Sequence, residues 1–280
     1  MKNLISYPND PFQVFINAVS RKENPDLRAR LNAIQHLVQA EFDIYKNHFD
    51  ANTLELISSN PVLEIYKEDL QSLYLYDSLT MREFRTAIEN LQSDCIKYTC
   101  QYCGLDATTS LDHYLPQGSY SIFCVNPLNL VPACQSCNGP KFQIWIHNGI
   151  RVFLNPYLDI LPTELYLFVE IFNEQNGDMN FRFTLRNDHG IDGVFFSRLE
   201  SHFRRLHLAD RMRRAATGYV TEFLNGIKRA KGRGTPMADI TSEAFGKIAD
   251  DRQAYGSNYW KSALEEALIQ NPISLAKTDP

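Results

Sequence analysis

No stretch of this 280-residue chain is apolar for the roughly 18 residues that a membrane-spanning helix needs. Its opening, MKNLISYPNDPFQVF, holds no basic segment leading into an apolar one, so a secretory leader is not expected. The expectation is a cytoplasmic protein with no membrane partner and with reduced cysteines. A Walker A motif is missing, so any use of a nucleoside triphosphate would fall to another protein. Internal repeats and low-complexity tracts are also missing, which argues against a solenoid and against a long disordered segment. An overall basic excess is lacking too: the formal net charge is −5, so the chain as a whole does not carry the signature of a nucleic-acid binder.

What is present is unevenly spread. Hydrophobic residues make up 44%, enough for a sizeable core. Residues 198–233 hold 10 basic and 3 acidic side chains, a local net of +7. That block is either the solvated face of a helix or a source of phosphate contacts, with Arg211, Arg213 and Arg214 the candidate substrate-binding residues.

Three regions separate by pattern. Residues 1–94 read as helical. Asn24-Pro25 is a helix start, and apolar residues recur at three-to-four spacing from Leu27 to Tyr45 and again from Leu79 to Leu91, with a break at Asn60-Pro61. Residues 95–150 contain all six cysteines and only four charged residues: Lys97, Asp106, Asp112 and Lys141. Residues 151–280 begin with a β-hairpin, Leu165 to Phe172 and Phe181 to Leu185, joined by turn residues that include Asn176-Gly177. Helical spacing then runs from Phe195 to about Arg229, and a last helix spans Ser257 to Ile269 with Ser257 as its cap. The fold class is α+β.

Cys100-Gln-Tyr-Cys103 and Cys134-Gln-Ser-Cys137 are two C-x-x-C pairs. Two-residue spacing lets both thiolates of a pair reach one tetrahedral zinc, and two pairs complete a closed, structural four-sulfur site. Disulfides or a redox pair are the alternatives. Cys95 and Cys124 lack ligand spacing and read as small core residues. Between the pairs lies Leu111-Asp112-His113-Tyr114-Leu115-Pro116. Neighbours on a strand point to opposite faces, so Asp112 and His113 can serve one substrate only if the strand ends or twists there. Pro116 makes a nearby end plausible. After the second pair, Asn138 and Lys141 share a face if the segment is helical, and Pro140 is tolerated in a first turn.

The ordered set Cys-x-x-Cys, Asp112-His113-x-x-Pro116, Asn129-Leu130, Cys-x-x-Cys-Asn138 and Lys141 resembles the zinc-containing HNH (ββα-metal) endonucleases in an H-N-N variant. The resemblance covers Cys100 to Lys141. It implies a β-hairpin followed by a helix, gripping one catalytic metal. It implies His113 as general base, Asp112 and Asn138 as ligands of Mg²⁺ or Mn²⁺, and Asn129 as the residue that holds the loop and orients the histidine. Lys141 would contact a phosphate, and DNA would be the substrate. A central module between helical flanks is also similar to HNH effectors of bacterial anti-phage systems, the Septu type among them, which implies an ATPase partner protein. Two other classes remain open on the residues alone: a zinc module that holds nucleic acid without cutting it, and a structural interaction protein.

Overall fold

The computed structural model of the chain describes residues 1–175 and 178–278. The expected Asn176-Gly177 turn lies outside the described residues. The chain divides into two compact units. One comprises residues 3–102 and 106–160; the other comprises residues 1–2, 103–105 and 161–280.

In the first unit the helical reading of the N-terminal region holds. Six α-helices precede any strand: α1 Pro11–Ser20, α2 Pro25–Ala33, α3 Gln35–Asp50, α4 Pro61–Glu64, α5 Lys67–Gln71 and α6 Leu79–Leu91. Local chemistry starts four of them. The side chains of Asp10, Asn24, Asn60 and Ser78 each accept a backbone N–H of the first turn. In α1, α2 and α4 a proline also occupies the first helical position, where a missing N–H costs nothing. Asn60-Pro61, expected as a break, therefore both ends the preceding segment and starts a short helix. The buried stripe of α3, Val38, Phe42, Tyr45 and Phe49, packs its rings toward Phe123.

Helices α3 and α5 of that layer pack on residues 121–123, which lie between the two strands of a small β-hairpin. Strands β1 Ser110–His113 and β2 Leu130–Ala133 pair antiparallel, with Asp112 opposite Val131 and His113 opposite Leu130. Helix α7, Gln135–Lys141, follows directly and packs on β1. A second pair, β3 Ile146–His147 and β4 Ile150–Arg151, completes the unit. Residues 3–94 thus share one compact unit with residues 95–102 and 106–150, although the two stretches differ in sequence character.

The second unit contains the β5 Leu167–Asn173 and β6 Met179–Leu185 hairpin, paired from Leu167↔Leu185 to Asn173↔Met179. Five helices accompany it: α8 Gly193–Arg205, α9 Leu208–Gly232, α10 Met237–Tyr255, α11 Trp260–Gln270 and α12 Pro272–Ala276. Helix α9, which buries Met212, Ala216, Val220, Leu224 and Ile227, packs on β6 and on α8, α10 and α11, and α11 packs on β5. Three expectations need correction here and in the first unit. The helix expected from Phe195 to Arg229 is two helices, broken at His207, whose backbone turns left-handed at φ 52°. The last long helix starts at Trp260, not after Ser257, and its flanking Tyr259 offers no side-chain cap. Cys95 is exposed, because it falls in the turn after α6 and not in the core.

Candidate active site and four-cysteine cluster

The two C-x-x-C pairs meet. The sulfur atoms of Cys100, Cys103, Cys134 and Cys137 all lie within 4.8 Å of one another, and all four residues are buried. None of the six cysteines forms a disulfide. Four thiolates around one zinc at about 2.3 Å sit roughly 3.8 Å apart, so the set needs little adjustment to hold a zinc ion. The knuckle after Cys103 has the backbone such a site requires. Gly104 takes φ +65°, and the N–H of Leu105 points at Cys103 Sγ at 3.4 Å. Cys134 is also the N-cap residue of α7, so the second pair sits at the start of the helix that carries Asn138 and Lys141.

A cleft of about 420 Å³ opens beside this hairpin, lined by Gln71, Asp112, His113, Gln135, Asn138 and Phe142 among others. The strand-end condition is met: β1 stops at His113, and Asp112 and His113 both reach the cleft. His113 Nε2 lies 2.8 Å from the Cys124 carbonyl oxygen. A carbonyl only accepts, so Nε2 carries the hydrogen and donates. Nδ1 is then the nitrogen with the lone pair. Tyr74 packs edge-on against the imidazole with ring centroids 4.5 Å apart. Enclosure of the ring pushes its pKa down from an ordinary 6.5 to about 4, only partly opposed by the Cys124 carbonyl and Asp112. The imidazole is neutral at pH 7.

Asn129 fixes that carbonyl indirectly. It is fully buried and all its side-chain capacity is used. Oδ1 accepts from the Leu115 N–H at 2.7 Å and from the Tyr45 hydroxyl at 3.1 Å. Nδ2 donates to the Leu115 carbonyl at 3.1 Å and the Phe123 carbonyl at 3.3 Å. The loop between the strands is thereby tied at its base and again one residue before Cys124. The Cys124 thiol donates to the Leu70 carbonyl of α5, and burial pushes its pKa up to about 12, so it stays a thiol.

Asp112 is 1% exposed. Its Oδ2 accepts from the Tyr102 hydroxyl at 2.8 Å and faces Lys141 Nζ at 3.1 Å. Burial, with Asp112 beside it, pushes the Tyr102 phenol up, so the hydroxyl keeps its proton and donates. Asn138 donates through Nδ2 to Ser110 Oγ at 3.2 Å and the Leu111 carbonyl at 3.4 Å, which leaves its amide oxygen as the atom able to accept a hydrogen bond or ligate a metal. The α7 face expected to hold Asn138 and Lys141 together therefore lies against β1. Lys141, however, does not present its charge to the cleft. It is 1% exposed, and its ammonium donates to the His113 carbonyl at 2.8 Å and the Tyr114 carbonyl at 3.0 Å besides facing Asp112. The expected phosphate contact is replaced by a buried structural one. Pro140 sits late in α7, not in its first turn, and the helix stops at Lys141 one residue later.

Arg211, Arg213 and Arg214 lie on α9, in the other unit. Arg213 and Arg214 are exposed, while Arg211 is half-buried and donates to the Leu206 carbonyl at 3.3 Å. Sequence reasoning missed Tyr45, Tyr74 and Tyr102 as supports of the site. Tyr102 carried a signal, since it lies inside the first cysteine pair; Tyr45 read only as a member of an apolar face, and Tyr74 belonged to no motif.

Comparison with known proteins adds one relative. Over 185 residues the chain is 28% identical to Protein ea31 of Escherichia phage lambda, a stretch covering 61% of this chain and 62% of that protein. The match thus spans less than two thirds of the phage protein. No family model and no solved structure matches the chain.

Proposed function

We propose that this protein is a metal-dependent endonuclease that hydrolyses DNA phosphodiester bonds at the His113 cleft, and that its four cysteines hold one structural zinc. The observation that carries the reading is the state of His113: neutral, with Nε2 tied to a carbonyl and Nδ1 left as a base in a polar cleft. Nδ1 takes a proton from the attacking water, the water oxygen bonds to phosphorus, and the bond from phosphorus to the leaving sugar oxygen breaks. Asp112 and Asn138 supply a carboxylate and an amide oxygen to the same cleft, hard donors that suit Mg²⁺ or Mn²⁺. A bound divalent ion contributes charge stabilisation at the phosphate and the departing oxygen. Lys141 holds Asp112 and the end of β1 in place. Asn129 holds the loop whose Cys124 carbonyl fixes the imidazole tautomer.

One observation favours a second reading, a module that binds nucleic acid without cutting it: the Asp112 carboxylate is already paired with Lys141 in a buried contact. Incubation with plasmid DNA separates the two. Wild-type protein with Mg²⁺ or Mn²⁺ is expected to nick or cut, and EDTA to stop it. His113→Ala should keep its fold, zinc and DNA affinity while losing about 10²–10⁴-fold in rate. Cleavage by His113→Ala at the wild-type rate would remove the histidine from the mechanism. Metal-independent binding with no cleavage would favour the second reading.

A further inference from the structure

Phe142 is the least comfortable residue of the cleft. It follows Lys141 at the end of α7, and 73% of its surface is exposed although it is a large apolar side chain. Its backbone sits at φ 41° and ψ −113°. Phe142 is the first central residue of a four-residue turn closed by the Ile144 N–H on the Lys141 carbonyl at 2.8 Å. Those dihedrals belong to the position that a type II′ turn gives to glycine. A bulky residue there is strained, and strain of this kind persists only where the surroundings enforce it. They do. The Phe142 N–H is held by the Asn138 carbonyl at 3.0 Å, and the preceding Lys141 is locked by three acceptors. The aromatic side chain is thus held by a rigid turn on the wall of the cleft that contains His113, Asp112 and Asn138.

An exposed ring on a rigid support, beside uncharged amides such as Gln71 and Gln135, matches the flat face of a nucleobase better than a phosphate. We propose that Phe142 is a substrate-positioning residue that stacks on an unpaired DNA base next to the scissile phosphate, which gives the enzyme a preference for single-stranded or locally opened DNA. The inference rests on the nuclease reading of the same cleft. A base inside a duplex has both faces covered by its neighbours and leaves no face for the ring.

The full chain carrying His113→Ala is used so that binding is read without cutting. Fluorescence anisotropy with a labelled single-stranded oligonucleotide and with the corresponding duplex, in Mg²⁺, compares Phe142 with Phe142→Gly, Phe142→Ala and Phe142→Trp. Removing the ring is expected to weaken single-strand binding about 10-fold or more, and tryptophan to restore it. Phe142→Gly, which relieves the turn, should raise the melting temperature while binding falls, a pair of opposite signs that a merely structural residue would not give. An abasic scan of the oligonucleotide should find one position whose loss weakens the Phe142 protein but not Phe142→Gly. Wild-type affinity in Phe142→Gly, equal losses on single strand and duplex, or no binding by the Phe142 protein would each overturn the proposal. Cleavage by the His113 enzyme decides the nuclease reading separately. Phe142-dependent binding without any cleavage would refute the nuclease reading and with it the ring's place beside a scissile phosphate, while its stacking on an unpaired base would stand.

Discussion

His113 shows how burial changes what a residue can report. A histidine in water would lose its function as a base below pH 6.5, whereas enclosure holds this one neutral down to about 4. The kcat/KM of cleavage should therefore stay level between about pH 7 and pH 5 and fall only as the pH nears 4. A pH–rate profile at fixed free metal checks this, and an acid limb near 6.5 would mean that the ring meets water in the working state. Stability follows the same sign. Between 6.5 and about 4 the unfolded chain takes up a proton that the folded chain refuses, so this contribution is complete above 6.5 and is lost as pH falls toward 4. Asp112, His113 and Asn129 stood out by their order between two cysteine pairs and Asn138 by following the second pair directly, and the structure brings Asp112, His113 and Asn138 to one cleft. Tyr45 was not legible. Periodicity tells which face of a helix is buried, but not that one buried ring ends in a hydroxyl placed for Asn129.

At the level of elements, chemistry written within four or five residues was readable. Asn24-Pro25 starts α2, and α6 runs from Leu79 to Leu91 as its apolar spacing predicts. The break at His207 and the start at Trp260 were not readable, because a left-handed residue and an uncapped start are set by packing of neighbouring elements. The four-cysteine cluster belongs to the readable class, and its consequence is direct. Purified protein should contain one zinc per chain by elemental analysis; less than about half an equivalent would sink the assignment. Cys134 is both a zinc ligand candidate and the N-cap residue of α7. Cys134→Ser should therefore lower the melting temperature and also unseat Asn138, so cleavage should fall even in the fraction that remains folded.

Across the whole molecule, charge is segregated. The basic run lies on α8, α9 and the residues just after them, in a different compact unit from the cleft. If Arg213 and Arg214 meet phosphates, replacing both with Glu should weaken binding to every DNA sequence and flatten the salt dependence by about two contacts. A salt titration that leaves the slope unchanged would identify the run as a solvated face. The site itself is built differently, and the Asn129 clamp shows how in kinetic terms. Two of its bonds join residues 14 apart and a third joins residues 6 apart. The fourth, from Tyr45, closes a span of 84 residues. Loop-closure entropy makes the long closure costlier than the 14-residue one by about 1.5 kcal/mol. The loop that seats His113 can thus shut on local contacts at low entropic cost, and the helical layer needs only to latch a structure that has already found its register.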